Sequence, residues 1–139
     1  MAVKNENKLA IRELMSRAAC GLDMRDVDML AACFTEDADF TMRIAGGDLI
    51  GPFEGREGIM ELMTNSMAEN TDQRRHIISN LFFEREGDES AVVVSYLTLT
   101  VIENGEIRLI TTAVYRDTVA RVGEDWQLQH RHIDLDLPY

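Results

Sequence analysis

The chain is short of several things. It has two prolines in 139 residues, two cysteines, three histidines and one tryptophan. So little proline, with no internal repeat and no low-complexity tract, gives no sign of a linker, and residues 1–139 read as a single domain. No run of about 18 or more apolar residues occurs, so no membrane span is expected. The opening "MAVKNENKLA" lacks the basic-then-apolar pattern of a secretory signal. Two cysteines make neither a metal quartet nor a disulfide framework, so Cys20 and Cys33 read as reduced core thiols of a cytoplasmic protein. Basic charge is also scarce, with 14 Lys and Arg against 25 Asp and Glu and a formal net charge of −11. The only basic cluster is Arg74–Arg75, too small a footprint to displace counterions from a nucleic acid. A small, mostly apolar molecule or another protein chain is the expected partner.

The chain does have clear periodicity. Leu9, Leu14, Met15, Ala18 and Leu22 recur at helical spacing, and Gly21 loosens the end of that helix. Val27, Leu30, Ala31 and Phe34 fit a second, short helix with Asp26 as its N-cap. "EDADFTMRI" alternates like a strand, and "AGGDLIGPFEG" reads as a turn-rich connection. A third helix is expected over 56–69, with Ile59, Leu62, Met63 and Met67 as its apolar stripe. Four long strand-like runs follow, separated by "GDE", "NGE" and "VGED" turns. The expected class is α+β, a cone-shaped antiparallel sheet curved around three helices and leaving a ligand cavity at its open end.

Three aspartates crowd into "GLDMRDVDML". Asp26 caps the second helix and Asp28 places negative charge in its first turn, where the helix dipole favours it. Asp23 has no such local role, because a carboxylate at a helix exit opposes the dipole; a solvated loop acid and a functional group are equally good readings. His76 is the one histidine outside the last strand, in "RRHIISN". Imidazole is the side chain best suited to moving protons near neutral pH. On spacing alone, a histidine capping a strand or filling a polar gap is the better fit. In "WQLQHRHID", strict alternation puts Gln127, Gln129 and Arg131 on one face and Trp126, Leu128, His130 and His132 on the other, unless a bulge intervenes. His130, His132 and Asp134 share one face, a spacing that also suits a metal.

The order of these elements, with "LDMRDVDMLAACFTEDADF", "GPFEGREGIMELM", "RRHIISNLFFEREGDESAVVVSY" and "WQLQHRH", resembles the SnoaL-like, scytalone dehydratase-like branch of the nuclear transport factor 2 superfold. The resemblance covers nearly the whole chain and implies the cone fold. It also implies a cofactor-free dehydratase, cyclase or isomerase with no metal, working on a polyketide, a steroid-like or an aromatic compound. By this resemblance His76 matches the catalytic histidine of the family's dehydratases and dehydrochlorinases, and Asp23 matches the aspartate that orients it. Arg131 matches an arginine facing the cavity, where a guanidinium would steady a developing anion. An Asp–His pair fixes which ring nitrogen carries the proton and steadies the imidazolium formed when the other takes one. Met24, Met42, Met63, Met67 and Tyr96 are the expected substrate-lining residues; methionine is a soft, adaptable lining, and plain core packing accounts for it too.

Two departures matter. Met42 stands where the family's ketosteroid isomerases keep their base, which speaks against that reaction. "VSYLTLTVI" offers Tyr96, Thr98 and Thr100 where the dehydratases carry a second histidine. A homodimer formed through the sheet is the expected assembly. The alternative is a non-catalytic binding or assembly module resembling the small subunit of a ring-hydroxylating dioxygenase.

Overall fold

A computed structural model describes residues 4–139. The elements run α1 (Asn5–Asp23), α2 (Val27–Ala31), β1 (Phe34–Ile44), β2 (Ile50–Glu54), α3 (Gly55–Glu69), β3 (Gln73–Arg85), β4 (Ser90–Glu103), β5 (Glu106–Val122) and β6 (Asp125–Leu135). The six strands form one sheet in the order β2-β1-β6-β5-β4-β3. The four long strands are an antiparallel meander, β1 joins parallel to β6, and β2 closes the edge antiparallel to β1. The turn between β4 and β5 is Asn104–Gly105 with both φ angles positive, as a two-residue hairpin matching the twist of its strands requires.

The sheet curves because its pairing slips repeatedly, between Ser79 and Phe82, between Leu99 and Thr100, and around Gln129. Its concave face carries the core. Alternate residues of β4 (Ala91, Val93, Leu97, Leu99) and β5 (Ala113, Tyr115, Val119) are buried against Ile11, Leu14, Met15 and Ala18 of α1 and Ile59 of α3. Helix α1 lies against β3 and β6, and α3 against β1.

Several details differ from the sequence reading. The inner stripe of α1 uses Ile11, while Leu9 is exposed. Gly21 is a packing residue: a Cβ there would meet the backbone of Leu30 at 3.1 Å, so its lack of a side chain lets α1 and α2 touch. The turn-rich segment contains strand β2, whose glycine and proline mask its strand character but are tolerated at a sheet edge. Cys20 is exposed, and only Cys33 is a buried thiol. Asp26 does cap α2, accepting the Met29 amide at 3.0 Å.

Candidate active site

Helix α1 ends at Asp23, and the chain turns sharply there: the amides of Met24, Arg25 and Asp26 all bond back to the last turn of the helix. Arg25 takes a positive φ, and its guanidinium donates to the carbonyls of Asn70 and Asp72. Arg74 pairs with Asp72 at 3.0 Å and reaches Asn70. The Arg25 bonds, with Gln73 donating to the Asp23 carbonyl at 3.4 Å, pin the end of α1 to the start of β3, fifty residues later, and bring Asp23 to His76. The Asp23 carboxylate is 2.5 Å from His76 Nδ1 through one oxygen. Its other oxygen accepts the His76 backbone N–H at 2.9 Å. Asp23 is 8 % exposed, and both of its oxygens are spent on this one residue. With the carboxylate on Nδ1, that nitrogen carries the proton, and Nε2 is left as the basic nitrogen.

His76 forms part of the wall of a cavity between the concave sheet and α3, of about 150 Å³. Its apolar wall comes from Phe40 and Met42 of β1, Leu62, Met63 and Met67 of α3, Leu97 and Leu99 of β4, and Ile133 and Leu135 of β6. Tyr115 of β5 also lines it, and Arg25, Ser66, Asn70, Arg74 and Tyr139 supply the other polar groups. The Arg74 guanidinium lies over the Tyr139 ring at 5.5 Å.

Of the lining residues expected from sequence, Met42, Met63 and Met67 border the cavity. Met24 and Tyr96 do not. Met24 is 59 % exposed, being the C-cap of α1 and the first residue of its tight turn. Tyr96 is 50 % exposed, because inward residues of β4 are the odd-numbered ones, from Ala91 to Val101. Arg131 requires a correction of another kind. The pairing slip around Gln129 adds a residue to β6, so Trp126 and Leu128 before it and Arg131, Ile133 and Leu135 after it all face inward. Arg131 therefore reaches the concave side but forms no part of the cavity wall. It is buried beneath it, in a two-pronged pair with Asp117 (2.8 and 3.1 Å), with Met15 Sδ at 3.4 Å. Burial works against its charge, but the charge and hydrogen bonds of Asp117 hold its pKa above the ordinary arginine value. His130 and His132 turn to the convex face, where they meet Asp39 at 2.6 Å and Thr41 at 2.7 Å; His132 also meets Asp134 at 3.1 Å.

Tyr115 went unnoticed in the sequence. Its ring lies over the Arg131 guanidinium, 4.4 Å from carbon to centroid. Burial pushes its pKa up to about 12 against the opposing pull of Arg131, with Asp117, Tyr139 and Asp23 adding smaller upward contributions. A signal for it was present. In "TAVYRDTVA" the inward register of β5 holds Ala113, Tyr115, Asp117 and Val119, and an acid in a buried register needs a buried cation nearby.

Comparison with known proteins bears on the fold and the family. The chain is 27% identical over 123 residues to hexachlorocyclohexane dehydrochlorinase 1 of Sphingobium indicum, covering 88% of this chain and 77% of the relative. A protein of unknown function with a cystatin-like fold from Nostoc punctiforme superposes with a TM-score of 0.80 at 26% identity, covering 99% of this chain and 98% of the other. A Catenulispora acidiphila structure in complex with S-DNPA superposes at 0.81 with 20% identity, covering 96% of each chain. A family model for the SnoaL-like domain matches residues 4–132. The chain belongs to the SnoaL-like domain family, with the fold of the nuclear transport factor 2 superfold.

Proposed function

We propose that this protein is a cofactor-free lyase or isomerase in which His76 takes a proton from carbon and Asp23 holds the imidazole ring. The observation that carries the reading is the 2.5 Å contact between Asp23 and His76 Nδ1, made from a nearly buried carboxylate to a histidine in the wall of an apolar cavity. Such a carboxylate orients the base and stabilises the imidazolium without leaving the pair. The dehydrochlorinase relative, itself an elimination enzyme by name, supports a lyase-type reaction on a small molecule. The S-DNPA complex of the Catenulispora neighbour supports a cavity that takes small organic ligands.

Among polyketide, steroid-like and aromatic substrates, size favours a single ring. A cavity of about 150 Å³ lined by Leu, Ile and Phe is the scale that holds one benzene. Methionines 42, 63 and 67 let the wall adapt to ring substituents. The test is paired substitution on a panel of monocyclic substrates. His76→Ala and Asp23→Asn should each lower turnover by about 10²–10⁴-fold. Full activity in both variants would overturn the dyad.

The non-catalytic assembly module has one observation in its favour. Ile77, Phe82 and Tyr96 form an exposed apolar patch on the convex face of β3 and β4. We read that face as the contact between two copies of this chain. A homodimer in sedimentation measurements supports this reading, whereas solubility that depends on a larger partner supports the module.

A further inference from the structure

The Tyr115 hydroxyl is a nearly buried polar group of the cavity wall without a hydrogen bond; the Tyr139 hydroxyl also makes none among the described residues, but Tyr139 is 60 % exposed. Arg25, Asn70 and Arg74 are bonded to one another's segments, and His76 is bonded to Asp23. Among the described residues Tyr115 has no hydrogen bond, only the guanidinium of Arg131 under its ring. The Tyr115 hydroxyl opens onto the cavity rather than being sealed in the protein, and an entirely apolar ligand would seal it there without a partner, which is costly. Phenylalanine would fill the same wall without that cost, so the hydroxyl needs a purpose. The Arg131 guanidinium under the ring offsets part of the cost that burial and Asp117 place on a phenolate there. His76 and Tyr115 line the same cavity of about 150 Å³, so the base and this hydroxyl face one bound molecule.

We propose that Tyr115 is a second catalytic residue of the site, donating its hydroxyl to an oxygen of the substrate, and that the substrate is accordingly a single-ring compound bearing a hydroxyl or carbonyl. This rests on the dyad reading above and deepens it. In an elimination, His76 Nε2 takes the proton from carbon and the C–H electron pair becomes the new double bond. The neighbouring C–O bond breaks with its pair on oxygen, and the Tyr115 proton passes to that oxygen, which departs as water. The phenolate left behind sits on the Arg131 cation until the imidazolium returns a proton to it through solvent. A phenol is a stronger acid than water, so the transfer to departing hydroxide runs downhill even with the raised pKa of Tyr115. Arg131 acts through Tyr115 and is a positioning residue.

Binding of two probes of one shape tests this: 4-nitrophenol, followed by its phenolate absorption, and nitrobenzene, followed by calorimetry. The wild-type protein should prefer 4-nitrophenolate to nitrobenzene. Tyr115→Phe should lose about ten-fold or more of that preference, while its affinity for nitrobenzene and its unfolding midpoint stay close to wild type. Should Tyr115→Phe not fold, Tyr115→Met replaces it in the same comparison. An unchanged preference in the folded variant overturns the role of Tyr115 and leaves the dyad standing. Failure of the wild-type protein to bind either ring overturns the small-molecule reading, and this proposal with it.

Discussion

At the scale of single residues, the site depends on how few of its polar groups are left free. Asp23 gives one oxygen to a side chain and the other to a backbone amide, so it positions the base and also ties α1 to β3. Asp23→Ala should thus cost about 1–3 kcal/mol of stability in chemical denaturation, beyond its effect on turnover, because a buried amide loses its acceptor. His76→Ala keeps the backbone tie but strands the other Asp23 oxygen, and should carry a cost of the same order in the same measurement. Tyr115 makes a pH prediction with a definite sign. Its pKa is near 10 in the unfolded chain and about 12 when folded, so the unfolded state releases its proton first as pH rises. That contribution to stability is intact below pH 10 and is lost between pH 10 and about 12, by about 1.4 kcal/mol per pH unit. Urea midpoints from pH 9 to 11 should fall more steeply for the wild type than for Tyr115→Phe. Much at this scale could be read from the chain: Asp26 was identifiable as a cap from its spacing, and Asp23 stood out because no local role accounts for it. Met24 and Tyr96 were misplaced because one sits on a tight turn and the other in the outward register of its strand, both of which depend on where neighbouring segments lie.

At the scale of elements, the slip in β6 decides the most. One additional residue around Gln129 keeps Trp126 and Leu128 in the core and yet turns Arg131 inward beside Asp117, its partner across β5. Asp117 is 0 % exposed and Arg131 4 %, so the pair is almost entirely removed from water. Arg131→Met should leave that carboxylate uncompensated and cost about 3–5 kcal/mol, read as the shift in urea midpoint. Asp117→Leu combined with Arg131→Met should recover much of the loss, because an apolar pair of similar volume pays no desolvation penalty. Deleting Gln129 should leave Arg131, Ile133 and Leu135 facing inward, since without the extra residue plain alternation runs from Leu128 to His130 and Arg131, and its cost, read as the same shift in urea midpoint, should be that of losing the local bend. Strict alternation, the rule by which a strand is read from its residues, has no way to include that extra residue. The bulge exists because β6 must pair with β5 on one side and β1 on the other while following the curve of the sheet, and both pairings slip at the same place.

At the scale of the whole molecule, the cavity results from a mismatch between a curved sheet and the helices that cover it. Helix α1 fills one end of the concave face, while α3 leaves space between its stripe of Leu62, Met63 and Met67 and the sheet. A ring compound held there should raise the thermal midpoint in a concentration-dependent way, by about 2.7 kcal/mol of added stability at a hundred times its dissociation constant. Met63→Trp should abolish that response by filling the space. Its own unfolding midpoint should remain close to wild type if the cavity can accept the larger side chain.

The sequence by itself determined the three helices and every strand but the edge strand β2, their order, the sheet-over-helix architecture and the identity of the aspartate without a local role. These are encoded in short-range periodicity, capping and turn chemistry, each legible within a few residues. Only the tertiary structure decided which groups meet. The carboxylate of Asp23 and the ring of His76 are 53 positions apart and come together because Arg25 and Gln73 fasten a helix end to a strand start. Tyr115 over Arg131 and the burial of Asp117 likewise follow from strand register across the curved sheet. Register is set by long-range packing, and no local pattern of residues specifies it.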